Sequence, residues 1–482
     1  MKSFFRLFLV CTFALNCGLI SYSYPASMTL ISNSEILGTW QGILKFNGNA
    51  LRIVFAISGD QNNQLKAEMA SPDQKVKGIP VNNITFNGSY LKLEVDTISA
   101  YYEGKYNPDS IAFEGNWHQS GFTIPLSIKK IDKFEEIKHS QEPVPPFLYA
   151  VEDVIYYNKT AEVKLCGTLT LPQTGGPFAA VILIPGSGPY NRNEEISGHK
   201  IFLVLADYLT RRGIAVLRVD KRGIGESTGN YAASTTKDFS NDVLAGIKYL
   251  KSVNKIDSTK IGLIGHNEGG IIAPMVASGT NEVAFIVLMA GPGLPGDELL
   301  SLQSERMAKA EGYPEERIRK SIELNKKIYS TIKAGGDSLD IAEELRIIYF
   351  DNYNSLDKTE KAEIRNPKAA FQRELKLMMS PWYRYFISYD PVPALEKVKC
   401  PVLALNGSKD LQVLPDENLA SIKKALEKGG NKNFEIKELP GLNHLFQTAE
   451  TGSPAEYMKI HETISPIALQ TIGDWIIKVI TK

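Results

Sequence analysis

Residues 260–278 read KIGLIGHNEGGIIAPMVAS. The first six form an apolar run of the kind expected for a strand buried on both faces, and 268–278 has the small and branched residues of a buried helix. Between them lies Gly265-His266-Asn267-Glu268-Gly269, followed by Gly270, which must turn strand into helix within a few residues. So sharp a turn forces its central residue toward positive φ and needs glycine where the two backbones approach. Asn267 is that central residue, and asparagine is among the non-glycine residues that best tolerate the region.

Outward from this turn the same texture repeats. FAAVILI (178–184), GIAVLRV (213–219), VAFIVLMA (283–290), PVLALNG (401–407) and FEIKEL (434–439) read as further strands. Helical periodicity falls at 198–212, 236–254 and about 415–429. Alternation of this kind predicts an α/β unit over 147–482, a mostly parallel sheet with helices on both faces. The alternation stops over about 293–390, where ERIRKSIELNKKIYSTIK and IAEELRIIYFDNY carry Glu, Lys, Leu and Ile at helical spacing. That length is too great for a loop inside a compact domain, so the segment reads as an inserted helical cap.

The N-terminal third differs. GTWQGILKF, ALRIVFAIS, NITFNGS, YLKLEVD, SIAFEGNWH and FTIPLSIKK are short, alternating and rich in β-branched or aromatic residues, which predicts an antiparallel β domain over 35–130. Asn-Gly at 47–48 and 87–88, and Asp-Gln-Asn at 60–62, suit hairpin turns. His118 stands alone there and reads as structural. Residues 131–146 (IDKFEEIKHSQEPVPP) are charged, then proline-rich, and read as a linker. Ahead of the β domain, Lys2 and Arg6 precede an apolar run from Leu7 to Ile20, followed by Ser21-Tyr22-Ser23. Residues 1–23 therefore read as a secretory signal peptide, which predicts export to the periplasm or the extracellular space. A membrane anchor and a lipidated Cys17 are the alternatives. The run is short for a span, and Leu15-Asn16-Cys17 matches a lipoprotein site poorly.

The whole chain of 482 residues has 54 basic and 54 acidic residues, so no net field draws it to nucleic acid, and no stable membrane span is expected once the leader is gone. Of its four cysteines, Cys11 and Cys17 fall in the leader. Cys166 and Cys400 sit in apolar contexts that suit buried thiols, although an exported chain could also bridge them. Gly223-x-Gly225 lacks the third glycine of a dinucleotide loop, and no His, Cys, Asp and Glu grouping has metal-ligand spacing. No cofactor and no metal are expected.

The 265–269 turn has the context of a nucleophile elbow, Gly-x-Ser-x-Gly, with asparagine in the serine position. Asp410 follows the strand after the cap, and His444 follows the last strand, giving the order nucleophile, acid, histidine. In such a triad His444 takes the nucleophile's proton while Asp410 holds its tautomer. An oxyanion hole needs two backbone N–H donors. Glu268 supplies one, and the loop IPGSGPYNRNE supplies the other, expected from Ser187 with Gly188 as the alternative. Gly188 and His266 are also expected beside the substrate.

Taken together, PGSGPYNRNE, DKRGIGESTG, GHNEGG, SPWYRYFISYDP, LNGSKDLQV and NHLFQTAETGSPAEY resemble exported bacterial α/β-hydrolases of the acyl-esterase type. These are related to serine aminopeptidase and prolyl-oligopeptidase-like hydrolases, and some carry an N-terminal β domain. The resemblance covers roughly 170–480 well and the β domain loosely. It implies the α/β-hydrolase fold, a small-molecule acyl ester as substrate, and roles for Asp410 and His444 as acid and base. Trp382 and Tyr383, in the segment that resembles the return of the cap, line the acyl pocket or pack the core. Members carry serine where this chain has Asn267, and their oxyanion loop often begins His-Gly-Ser-Gly-Pro where this one has Pro185-Gly186-Ser187-Gly188-Pro189.

An amide nitrogen is not a nucleophile that His444 can activate. Three accounts of Asn267 are open: an altered form of an active serine esterase, a pseudoenzyme that keeps the pocket to bind a ligand, and deamidation to a carboxylate nucleophile, which Glu268 at the next position makes slow. A peptidase is a weaker reading, since no acidic pair to grip a free amine stands out. The β domain could dimerise, shield the pocket or bind polysaccharide, and a homodimer is one expectation among these.

Overall fold

The computed structural model describes residues 31–46, 49–59, 64–72, 76–119, 122–132, 139–364 and 366–481. The expected leader with Cys11 and Cys17, the Asn-Gly at 47–48 and the Asp-Gln-Asn at 60–62 lie outside the described residues. The chain divides into two compact units, one containing 139–352 and 372–481, the other containing the N-terminal sheet and 353–371. The expected cap is therefore split between them.

In the N-terminal unit a short helix α1 (Asn33–Ile36) precedes nine strands: β1 (Gly38–Phe46), β2 (Asn49–Gly59), β3 (Leu65–Ser71), β4 (Val76–Pro80), β5 (Asn83–Phe86), β6 (Tyr90–Val95), β7 (Ala100–Asn107), β8 (Ala112–Gln119) and β9 (Phe122–Ile131). They form one antiparallel sheet in the order β4-β3-β2-β1-β9-β8-β7-β6-β5. Alternate residues bury Trp40, Phe55, Tyr102, Phe113 and Trp117 in one apolar cluster, as a half-buried sheet requires. The Asn87-Gly88 turn joins β5 to β6. His118 lies on β8, where its ring stacks on Tyr101 at 4.2 Å and Nδ1 meets the Thr123 hydroxyl at 2.9 Å.

The larger unit is built on an eight-stranded sheet. Its strands are β10 (Tyr149–Asn158), β11 (Val163–Pro172), β12 (Phe178–Ile184), β15 (Ala215–Val219), β16 (Ile256–His266), β17 (Phe285–Met289), β18 (Val402–Gly407) and β19 (Phe434–Leu439), with a small ribbon of β13 (Glu195–Ile196) and β14 (His199–Lys200) between β12 and β15. The order is β10-β11-β15-β12-β16-β17-β18-β19, antiparallel through β10, β11 and β15 and parallel from there on. All seven side chains of β12 are buried. Ala180, Ile182 and Ile184 pack on one face with α3 (Thr236–Lys251), α4 (Gly269–Ala277) and α12 (Pro415–Lys428). Val181 and Leu183 pack on the other with α2 (Ile201–Arg211) and α13 (Pro466–Ile480). The strand's twofold alternation thus serves two cores, which is why its sequence is apolar throughout.

The 293–390 segment is helical, with α5 (Gly296–Ala310), α6 (Glu315–Ala334), α7 (Ser338–Ser355), α8 (Lys358–Glu363), α9 (Pro367–Met378) and α10 (Pro381–Ser388); the short α11 (Val392–Leu395) leads back to the sheet. The expected linker needs correction over its described part. Gln141 Nε2 donates to the Ile464 carbonyl, and its Oε1 accepts from the Thr463 N–H, while Glu142 pairs with Lys200. Residues 139–146 are thus bound into the larger unit and do not hang between units. Cys166 is buried, Cys400 half-buried, and both are free thiols. Among the described residues no helix is long and apolar enough to cross a membrane, and no cluster of three His, Cys, Asp or Glu has metal-holding geometry.

Candidate active site

The turn between β16 and α4 is as tight as its glycines suggest. Asn267 has φ +50°. A Cβ on Gly265 would lie 2.0 Å from the Gly269 carbonyl oxygen, and one on Gly269 would lie 2.0 Å from that of Ile184. The Asn267 N–H donates to Met289 O at 3.0 Å, which ties the turn to the end of β17.

Two loops at the carboxyl ends of β18 and β19 bring the partners in. Asp410 Oδ1 accepts the N–H groups of Gln412 and Val413 at 2.7 and 2.9 Å, so the backbone of its own loop holds the carboxylate still. Its Oδ2 lies 2.8 Å from His444 Nδ1. That contact makes Nδ1 the protonated nitrogen and leaves Nε2 with its lone pair. Asn267 Nδ2 stands 2.9 Å from that Nε2 and donates to it. The amide oxygen of the same side chain accepts from the Glu268 N–H at 2.7 Å and lies 3.3 Å from Ser187 Oγ. Asn267, Asp410 and His444 are therefore contiguous, and the asparagine spans the gap between the imidazole and the first expected oxyanion donor.

The residues flanking Asn267 in the turn point inward. His266 is 1% exposed. Its Nδ1 meets Glu194 Oε1 at 3.0 Å, and its Nε2 meets the His444 carbonyl oxygen at 3.0 Å. Burial pushes the His266 pKa down, but the Glu194 charge and hydrogen bond, the His444 carbonyl and the Asp410 charge together outweigh it and hold the imidazole above its ordinary value. Both nitrogens are thus donors spent within the protein, which corrects the expectation that His266 faces a substrate. Glu268 is fully buried. Its Oε1 accepts from the Thr236 hydroxyl and from Trp382 Nε1, both at 2.7 Å, and its Oε2 lies 3.3 Å from Lys221 Nζ. Thr236 opens α3 just inside a capping box formed by Thr235 and Asp238.

Both pairs converge on the loop after β12. Glu194 Oε1, besides holding His266, accepts the Gly186 N–H at 2.6 Å. Lys221 Nζ, besides holding Glu268, donates to the Gly186 carbonyl oxygen at 2.5 Å. Ser187 follows directly. The Gly188 carbonyl accepts from the Tyr190 N–H.

The two cap residues separate. Trp382 is half-buried, stacks on Phe386 at 5.2 Å and reaches the elbow through Glu268. Tyr383 is 1% exposed; burial first, then a hydrogen bond to Tyr329, raises its phenol well above the ordinary value. It lies buried on α10. Glu194, Lys221 and Thr236 were not singled out from sequence, although Glu194 and Lys221 lie inside the motifs PGSGPYNRNE and DKRGIGESTG.

Esterase EstD of Thermotoga maritima is 27% identical over 318 residues, which is 65% of this chain and 66% of that one, so the match spans just under two thirds of the curated relative. The solved esterase Pf2001 of Pyrococcus furiosus aligns over 68% of this chain and 93% of its own at 16% identity, with a TM-score of 0.40. Est1E of Butyrivibrio proteoclasticus, solved with ferulic acid bound, aligns over 68% of this chain and 100% of its own at 14% identity and a TM-score of 0.39. The family model for X-Pro dipeptidyl-peptidases of the S15 type matches residues 162–434, a stretch that takes in the elbow and Asp410 and stops short of His444. A match over more than half of the chain, laid on a hydrolase sheet with its elbow in place, makes this protein an α/β-hydrolase that belongs to the X-Pro dipeptidyl-peptidase (S15) family.

Proposed function

We propose that this protein carries a carboxylic-ester hydrolase site for small or medium acyl esters, in which Asn267 takes the nucleophile's place and stops the covalent step. One observation carries the reading: a single amide occupies both the imidazole nitrogen that would activate a nucleophile and the N–H that would receive an oxyanion. Around it the acid and the histidine are paired as general base catalysis requires. The amide lone pair is delocalised into the carbonyl, so proton removal by His444 yields no usable nucleophile. Loss of a triad nucleophile removes on the order of 10⁶-fold in turnover and leaves roughly 10³-fold over water.

The same contact weighs against a pocket that retains a ligand carbonyl in the hole, because Asn267 Oδ1 already sits on the Glu268 N–H. An ester is favoured over a peptide. An aminopeptidase needs a carboxylate free to bind a substrate ammonium; beside the elbow Glu268 is spent on Thr236, Trp382 and Lys221, and Glu194 is fully buried with Oε1 held by His266 and the Gly186 N–H. The leader-like residues 1–23 support a site of action outside the cytoplasm.

The test is Asn267→Ser, assayed with p-nitrophenyl esters and a fluorophosphonate label. Turnover and labelling that both require His444 are expected. Neither appearing would overturn the reading, as would ester hydrolysis by the unsubstituted chain that His444→Ala abolishes.

A further inference from the structure

The residues on either side of position 267 reach the same glycine through one intermediary each. His266 holds Glu194, which accepts the Gly186 N–H; Glu268 holds Lys221, which donates to the Gly186 carbonyl. Gly186 is thus fixed at both of its backbone polar groups. Its neighbour in space is residue 267 itself, since a Cβ on Gly186 would come within 3.0 Å of Asn267 Cβ.

In a trans peptide the C=O and the following N–H point in opposite directions. A cation on the Gly186 oxygen therefore also sets where the Ser187 N–H points. Lys221 is 7% exposed and fixed from three sides: the Gly186 oxygen, the Glu268 carboxylate, and the Phe239 ring 4.7 Å below its ammonium. The far oxygen of Glu268 is held by Trp382 of α10 and Thr236 of α3. We propose that Lys221 is the positioning residue of the oxyanion hole, aiming the Ser187 N–H, and that Trp382 sets Lys221 through the Glu268 carboxylate, so that the hole forms only when the cap's return helix is seated. Glu268 then serves the hole twice, with its own N–H as the first donor and with its carboxylate as the anchor of the second. This rests on the reading of position 267 as the nucleophile's place.

Trp382→Phe keeps an aromatic ring to stack on Phe386 and removes the N–H donor with part of the indole, and Lys221→Met removes the cation at similar length. In the Asn267→Ser protein, kcat per site titrated with fluorophosphonate is expected to fall about tenfold for Trp382→Phe and about 10²- to 10³-fold for Lys221→Met, as for loss of an oxyanion donor, with KM nearly unchanged. In the unsubstituted Asn267 protein both changes are expected to speed amide hydrogen exchange across 185–190. The inference is overturned if kcat stays within about twofold in both variants, if Trp382→Phe raises KM alone, or if exchange across 185–190 does not change. Should Lys221→Met fail to fold, Trp382→Phe decides. If Asn267→Ser proves inactive, the ester-hydrolase reading is lost, and the exchange measurement still decides the positioning role.

Discussion

Asn267 Nδ2 lies 2.9 Å from Nε2 of His444, the imidazole nitrogen that Asp410 leaves unprotonated. The direction of this hydrogen bond follows from the neighbours. Asp410 takes the Nδ1 proton, so Nε2 accepts, and the amide must present its NH2 group there and its oxygen to the Glu268 N–H. A serine offers one oxygen where asparagine offers two polar atoms, so it cannot stand at both positions at once. The site with asparagine is therefore better satisfied at rest than the same site with serine, and it is satisfied by the groups that catalysis would need free.

A stability cost should accompany any gain of activity. In Asn267→Ser the Glu268 N–H is left without its partner, and serine is placed at φ +50°, a region asparagine tolerates better. An unpaired buried donor costs about 1–3 kcal/mol. Urea unfolding should show Asn267→Ser about 2 kcal/mol less stable than the unsubstituted chain, with Asn267→Ala at least as destabilised and without turnover. A serine variant of undiminished stability would show that the amide bridge contributes nothing at rest.

The central parallel strands were legible because they are buried on both faces and carry unbroken apolar runs: FAAVILI, KIGLIG and VLALNG need no neighbour to be read. The places of Asn267 and Asp410 were legible for the same reason, each standing after such a strand, whereas His444 follows β19, whose FEIKEL is partly exposed and alternates apolar with charged residues. Strand β10 was not singled out, since YAVEDVIYYN is an edge strand exposing Glu152, Asp153, Ile155 and Tyr157, and its alternation is irregular. In the N-terminal sheet, β3, β4 and β7 escaped notice because LKAEMAS, VKGIP and AYYEGKYN mix charges with few long apolar side chains. The clamp on Gly186 lies inside two of the motifs, PGSGPYNRNE and DKRGIGESTG, but nothing in their spacing shows that Glu194 and Lys221 meet one glycine. Glu194 and Lys221 are charged residues in surface-like loops, and only their burial against His266 and Glu268 gives them a role. The same burial took His266 away from the substrate, where its place beside the nucleophile position had suggested it.

Acid should weaken the fold through His199. This residue is fully buried at the start of α2, with Nε2 donating to the Tyr457 carbonyl at 2.8 Å, Nδ1 accepting from the Thr463 hydroxyl at 3.1 Å, and the His139 ring 3.9 Å away. Burial, and then the charge of His139, push its pKa down to about 4, against 6.5 in the unfolded chain. Between these values the unfolded chain binds the extra proton. Stability is therefore lost as pH falls from about 6.5 and levels off below about 4, a difference of about 3 kcal/mol. Denaturant unfolding at pH 7 and pH 4.5 should show this loss in the unsubstituted protein and a smaller one in His199→Phe. An equal loss in both would assign the acid sensitivity to other groups.

The elbow glycines make the sharpest packing test, because three similar substitutions should have very different costs. A methyl group on Gly265 would meet the Gly269 carbonyl oxygen at 2.0 Å and its carbon at 2.2 Å, and backbone cannot swing aside as a side chain can. Strand β16 and helix α4 would have to part, and Gly265→Ala should cost about 3 kcal/mol or more. In Gly186→Ala the nearest atoms are Asn267 Cβ at 3.0 Å, fixed to the backbone of the turn, and Glu194 Oε1 at 3.2 Å, held by His266 and the Gly186 N–H, so a shift of a few tenths of an ångström is needed and about 1–2 kcal/mol is expected. Gly279→Ala meets nothing closer than the Met275 carbonyl at 3.6 Å and has no positive φ, so it should stay within about 0.5 kcal/mol of the parent. If unfolding midpoints do not rank the three in this order, the strand and helix are not held as closely at the turn as the 2.0 Å approach requires.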